Sequence, residues 1–211
     1  MTDQSVIQVM TFKEARTLPE AVRKRLILDA ARRLLVRRGY RDIPLDDVAR
    51  EAKVAKGTLY LYFKDKDDLM SASLQDVGDR LDQALERIPA HLTGRKALCR
   101  VAEVHLAFSD QHRDFLAQLV PGNPLLHGST AGRAIQKKFS SHLALLAGRW
   151  IQPCVTQGLL RRHDPRVGAM FFMSLVRFFM IRNFLLKDKR PLKAYAEELV
   201  SLYLNGLGGG R

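Results

Sequence analysis

Residues 56–69 read KGTLYLYFKDKDDL, which gathers a glycine, a threonine, three aromatic rings and three lysines into one short segment. The hydroxyls of Thr58, Tyr60 and Tyr62 can donate and accept hydrogen bonds, and Lys56, Lys64 and Lys66 bring positive charge. Gly57 leaves backbone N–H groups at a helix start open to close approach, an arrangement that favours phosphate. This is chemistry for holding a polyanion, not for breaking a bond. Leu59 and Phe63 stand four apart, so they share one helix face and are expected to pack against Val48 and Ala49. Lys56, Gly57, Thr58, Tyr60, Leu61 and Tyr62 are left to divide between the scaffold and an outer surface.

Catalytic chemistry has no comparable cluster. The six histidines, at 91, 105, 112, 127, 142 and 163, contain no i,i+4 pair and no HExxH. Without a carboxylate pattern around them they make no metal site. Cys99 and Cys154 lie far apart in apolar helical patterns with no CxxC spacing, which reads as two buried, reduced thiols. GxGxxG, GxxxxGK and GxSxG are absent. The expectation is a protein that is not an enzyme and needs no metal or cofactor. Lys plus Arg number 35 against 22 Asp plus Glu, giving +13 and a pI near 10.1. Such a balance favours a nucleic acid, an acidic membrane surface or an acidic protein as partner.

The elements that must position these residues all read as helices. Residues 1–18 have no sustained period and are expected to form a flexible arm. After Pro19 an apolar face of Val22, Ile27, Ala30, Ala31, Leu34 and Leu35 recurs at helical spacing, with Arg32 among the basic residues on the other side and Gly39 as the stop. Pro44 followed by Asp46 and Asp47 marks the start of a helix over 45–52. A turn at 53–55 leads into a second short helix, 56–63. Longer helices are predicted at 66–88, 93–110, 112–120, 129–157, 165–187 and 191–205, with Pro153 kinking or ending the fourth of these. No strand pattern appears, so the fold class is all-α, and GLGGGR ends the chain as a flexible tail, 206–211. The run VGAMFFMSLVRFFMIRNFLL, 167–186, is long enough to span a bilayer. Arg177 and Arg182 interrupt it, so it reads instead as a helix buried within the protein or between subunits.

Two short helices joined by a tight turn form a helix-turn-helix, whose second helix enters the DNA major groove. Thr58 and the tyrosines can then meet base edges or phosphates, an apolar side chain such as Leu61 can meet a thymine methyl, and Lys64 and Lys66 can reach the backbone. At this point a resemblance becomes specific. Residues 25–70, through ILDAARRLLVRRGY and LDDVAREAKVAKGTLYLYFKDKDDL, resemble the DNA-binding domain of TetR-family transcriptional regulators. The A-x-x-A spacing, the GTLYxYF block and the following K-x-x-L all agree. GLLRRHDPRVGAMFFMSLV resembles the joint between that family's last long pocket helix and its first dimerisation helix.

The resemblance implies an N-terminal helix-turn-helix DNA-binding domain over 19–65 and a larger helical ligand-binding and dimerisation domain over 66–205. It implies DNA contacts at Lys56, Gly57, Thr58, Tyr60, Leu61, Tyr62 and Lys66. The chain departs from the pattern at three caps: Pro44 replaces a Ser or Thr, Lys53 replaces the turn glycine, and Ala55 replaces a Ser. Lys53 is therefore expected to adopt a positive φ and to offer a charge in place of a lost phosphate bond. The segment 93–160 offers Leu98, Val101, His105, Phe108, His112, Leu116, Phe139, Leu143, Leu146, Trp150 and Cys154. These either line a chamber for a small apolar ligand or fill a core, and the family-like layout favours the chamber. Phe171, Leu175, Phe178, Phe179, Leu192, Tyr195, Leu199 and Leu202 are the expected dimer face of a four-helix bundle, with Arg177 and Arg182 at its rim or paired with Glu197 or Glu198.

The function so implied is a cytoplasmic homodimeric repressor, released from a palindromic double-stranded operator by a small apolar ligand, with no membrane partner. A second reading keeps the DNA-binding domain and makes the C-terminal half a docking surface for a protein. A third, a basic helical protein on a membrane surface, rests on the 167–186 run.

Overall fold

Proline and glycine punctuation sets the helix boundaries. In a computed structural model of the chain, which describes residues 17–39, 43–117 and 130–207, the first helix, α1, is Glu20–Arg38. Gly39 closes it at φ 72°, and its N–H bonds back to the Leu35 carbonyl at 2.9 Å. Ile27, Ala30, Ala31, Leu34 and Leu35 are buried as their spacing requires. Val22, expected on that face, is exposed because it lies in the first turn, ahead of the packed stretch. Arg32, expected outside, is buried. Its guanidinium is held by Asp29 and, at 2.7 Å, by Asp76, so the charge is paired where it sits.

Helices α2 (Leu45–Glu51) and α3 (Lys56–Tyr62) follow, then the long α4 (Lys66–Glu86). Asp65 caps α4: its Oδ1 accepts the Asp68 N–H at 2.8 Å, while Asp68 Oδ2 accepts the Lys64 N–H at 3.1 Å. The helix ends two residues before the expected Ile88, since the ring of Pro89 disfavours helical backbone at the residue preceding it. The chain divides into two compact units, one reaching Val77 and taking in Asp114–Ile135, the other built from Gly78–Arg113 and Gln136 onward. The first unit thus runs past the boundary expected at 65.

The second unit contains α5 (Gly94–Gln111), the later part of α7 (Thr130–Leu146), α8 (Gln152–Thr156), α9 (Pro165–Leu185) and α10 (Ala196–Leu207). The short α6 (Arg113–Ala117) separates α5 from α7 in sequence. Its expected continuation to 120 lies outside the described residues, as do 1–16 of the expected arm and 208–211 of the expected tail; Gly206 and Leu207 belong to α10. Pro153 does not end the helix that began at Thr130. A π-helical turn, Ala147–Ile151, precedes it. Proline supplies no N–H for the bond to the Arg149 carbonyl, and one wider turn takes up the missing bond and the bulk of the ring.

Leu98, Val101, Leu106, Leu146, Trp150, Phe172, Phe179, Leu199 and Tyr203 form the core of this unit. Each such fully buried apolar side chain contributes roughly 1.5–3 kcal/mol. Asn183 holds the loop after α9: its amide nitrogen donates to the Asp188 and Arg190 carbonyls, and its oxygen accepts from Arg113 at 2.9 Å. Asp188 accepts from Arg190 and Tyr195, whose hydrogen bonds hold its carboxyl well below the ordinary range. Arg182 lies 3.9 Å from Asp188 and over the Tyr195 ring, and Glu197 pairs with Arg95 at 2.9 Å. Within the chain, then, Arg182 and Glu197 do not pair with each other. Among the described residues every regular element is helical, and no helix is long and apolar enough to cross a membrane.

Candidate nucleic-acid interface

The helix-turn-helix is assembled without side-chain caps. Pro44 precedes α2 in extended conformation and supplies no side-chain hydrogen bond, so Asp46 and Asp47 in the first turn carry the interaction with the helix dipole. Lys53 then turns the chain at φ 55°. Its N–H bonds to Arg50 O at 3.1 Å and the Val54 N–H to Ala49 O at 3.0 Å, which closes α2 as a glycine would. A lysine in this left-handed region costs about 1–2 kcal/mol. Ala55 caps α3 with backbone alone. What fixes α3 on α2 is apolar: Val48, Ala49, Ala52, Val54, Leu59 and Phe63 are all buried.

Burial of Leu59 and Phe63 turns the other side of α3 outward. Lys56, Gly57, Tyr60 and Leu61 are exposed, and Thr58 and Tyr62 are half-buried. Leu61 is 84% exposed, which no packing within this chain explains. At Gly57 an added Cβ would meet nothing within 4 Å, so its small size serves nothing inside the described fold. Lys53 and Lys66 are half-buried and Lys64 is exposed.

Ion pairs brace the same elements. Arg33 and Arg37 of α1 donate to Glu51 at 2.9 and 2.6 Å, Arg38 and Arg50 pair with Asp47, and Lys56 bonds Asp46 at 2.8 Å. Burial raises the Glu51 carboxyl, but the hydrogen bond from Arg33 and the charges of Arg37 and Arg33 outweigh it and leave it below its ordinary value. The Lys56 ammonium is held above its ordinary value by the hydrogen bond and charge of Asp46. The arginines of α1 thus orient α2, and the basic groups beside the exposed face are the lysines.

The residues expected around a ligand chamber divide. Leu98, Val101, His105, Leu146, Trp150 and Cys154 are buried in the second unit, with Phe108, His112 and Leu143 half-buried. Phe139 is 46% exposed and does not line an interior, because its position on α7 faces away from the core. Leu116 belongs to the first unit, not with the others. The sequence reading missed a polar chain here. His105 Nδ1 bonds the Val101 carbonyl at 2.8 Å, and His105 Nε2 meets His142 Nε2 at 2.9 Å. His142 Nδ1 bonds Asp82 at 2.6 Å, and Lys138 bonds both Asp82 and Asp79 at 2.6 Å. The available signal was Lys138 and His142 four apart on one face of α7. Both cysteines are free and buried, and burial pushes each thiol up to about 11.

The expected dimer face divides as well. Phe171, Phe178 and Leu202 are exposed and Leu175 is half-buried. Phe179, Leu192, Tyr195 and Leu199 point into the core of their own chain, so the outward role expected of them is corrected. Exposed Val167, Met170, Ile181 and Leu185 take their place on the outer side of α9.

Residues 27–73 match the family model described as bacterial regulatory proteins, tetR family. The chain is 27% identical over 205 residues to the HTH-type transcriptional regulator HbdR of Aromatoleum sp. (strain CIB), spanning 94% of this chain and 89% of that protein. The fatty acid degradation regulator FadR from Bacillus halodurans superposes with a TM-score of 0.75 at 21% identity, over 88% of this chain and 98% of that one. FadR from Bacillus subtilis, in complex with stearoyl-CoA, gives 0.72 at 22% identity, over 86% and 98%. The fold and its exposed α3 define a helix-turn-helix DNA-binding regulator. Residues 27–73 thus carry the helix-turn-helix of the tetR family, and the fold of the chain is similar to that of solved transcriptional regulators.

Proposed function

We propose that the chain is a homodimeric repressor that leaves a palindromic operator when a small apolar ligand enters its second unit. The exposed face of α3 carries the reading: a nearly bare Leu61 beside Tyr60 and Lys56 has no role inside the fold. In this account Thr58, Tyr60, Leu61 and Tyr62 meet bases and sugars in the major groove, Gly57 lets the helix start approach a phosphate, and Lys53, Lys56 and Lys66 contact the backbone. DNA as target places the protein in the cytoplasm.

The mate is met through α9 and α10. Val167, Phe171, Phe178, Ile181 and Leu185 recur at spacings of three, four and seven along one side of α9, and Leu202 adds to them from α10. Phe172, Val176, Phe179, Leu199 and Tyr203 bury the opposite sides, so each helix is apolar on two faces with one already used. The ligand acts by population shift. Packing among α5, α7 and α9 displaces α4, which runs on from α3, and the two recognition helices then no longer match half-sites one helical turn apart. The acyl thioester bound by the Bacillus subtilis FadR supports an apolar ligand and supplies a first probe. Selection of genomic fragments on the purified protein gives the operator, and titration of that complex with stearoyl-CoA and simpler apolar compounds tests release. Binding of every fragment alike, with no preferred site, contradicts the operator reading.

A further inference from the structure

The polar chain that runs from Val101 through the two histidines to Asp82 can be counted in protons. A carbonyl oxygen only accepts, so the 2.8 Å contact to Val101 requires a proton on His105 Nδ1. The 2.9 Å contact between the two Nε2 atoms requires one proton between them, and the 2.6 Å contact from His142 Nδ1 to Asp82 requires a third. Two neutral imidazoles bring only two protons. The three contacts are satisfied together only when the triad of His105, His142 and Asp82 holds one more, whether on His142 or on the carboxylate.

The groups facing the pair are Asp79 and Asp82 from α4 and Lys138 from α7, with the Phe172 ring of α9 edge-on to His105 at 6.0 Å. Asp79 is 61% exposed, so the part-buried carboxylate is Asp82, with Lys138 as its counter-charge. Without the extra proton one ring nitrogen of the pair faces a lone pair. Burial, and then the neighbouring His142, push His105 down to about 3, which places the extra proton elsewhere than on His105. Both ring nitrogens of each histidine are used within the chain.

We propose that this proton is a latch. While it is held, His142 of α7 bonds both His105 of α5 and Asp82 of α4; when it leaves as the pH rises, the proton that remains on His142 stays on Nδ1 against the Asp82 carboxylate, and the contact between the two rings is lost. Proton loss thus cuts the side-chain link between α5 and α7 within the second unit. The latch belongs to the second unit and stands whether or not the ligand and operator readings above hold.

The test uses the full chain labelled with nitrogen-15 histidine, followed by long-range proton–nitrogen correlation across the pH range in which the protein stays folded. The latch predicts three protonated nitrogens on the two rings, or two with an Asp82 proton, with His105 as the Nδ1–H tautomer. A single proton is then lost with rising pH. In the same step the amides around the two rings, residues 101–109 of α5 and 138–146 of α7, exchange about tenfold faster, the effect of losing one hydrogen bond to a charged group. In His142→Gln, which has no titrating ring there, the step in exchange disappears. If that variant does not fold, the wild-type spectra decide alone. A triad that holds only two protons throughout overturns the latch, and so does proton loss that leaves exchange along α5 and α7 unchanged.

Discussion

The helix-turn-helix and the chain of His105, His142 and Asp82 treat charge in opposite ways. Around the helix-turn-helix, ions pair at the surface: Lys56 with Asp46, and Arg37 with Glu51, where water screens them and each pair is worth little. In the second unit His105, His142 and Asp82 sit largely out of water, and each contact there is one the fold cannot drop without a buried polar group left alone. A surface that must exchange its own ion pairs for phosphates gains from keeping them weak. An interior that must hold one arrangement of helices gains from strong ones. Substitutions at those surface pairs should therefore move DNA binding with little change in stability, and substitutions in the buried chain should do the reverse.

The largest break in that contrast is at neighbouring rings of α9. Phe179 is fully buried and Phe178 is 52% exposed. Phe179→Ala should cost about 3–5 kcal/mol in a denaturant titration. Phe178→Glu should leave the subunit folded and shift sedimentation from dimer to monomer. A Phe178→Glu protein that stays dimeric removes α9 from the interface.

Acid should act next, and between pH 7 and 5 chiefly at His105 of the second unit. His105 is held near 3 by burial, against an ordinary value near 6.5, so the unfolded chain binds a proton there that the folded chain refuses. Its contribution is complete above about pH 6.5 and is lost as the pH falls toward 3, with a slope on the order of 1 kcal/mol per pH unit. Urea midpoints of wild type and His105→Gln between pH 7 and 5 check this. The wild type should weaken more steeply.

Lys53→Gly should give a smaller effect of the opposite sign. Relief of the φ 55° backbone stabilises by about 1 kcal/mol, seen as a higher midpoint. In the proposed function the same change removes a phosphate contact and lowers the salt slope of DNA binding by about one. A gain in stability with unchanged salt dependence would leave Lys53 as a turn residue alone.

The fold was more legible in the sequence than the sites, and for a physical reason. Helix starts and stops answer to local chemistry: Pro19, Gly39, Pro89 and Pro165 act on their own backbone, and the helices they bound fall within two residues of the expected positions. The strained turn at Lys53 was readable too, because the motif demands a left-handed residue whatever the side chain. Which side of an apolar helix faces in is not local. Helix α9 is apolar nearly all round, so Phe178 and Phe179 look alike until α5 and α10 take one of them. The chain from His105 to Asp79 joins three helices that are distant in sequence. Only the i,i+4 spacing of Lys138 and His142 hinted at it. Where the expected chamber was drawn from hydrophobicity alone, Phe139 proved to face outward.

The central claim is that the exposed face of α3 reads DNA sequence, and one titration addresses it most directly. A fragment selected from genomic DNA and a shuffled fragment of the same length are bound by wild type, Tyr60→Ala and Lys66→Ala over a range of salt. Tyr60→Ala should lose about 1–3 kcal/mol on the selected fragment and little on the shuffled one. Lys66→Ala should weaken both alike and lower the salt slope by about one. Equal losses from Tyr60→Ala on the two fragments would contradict the account, since α3 would then hold DNA without reading it.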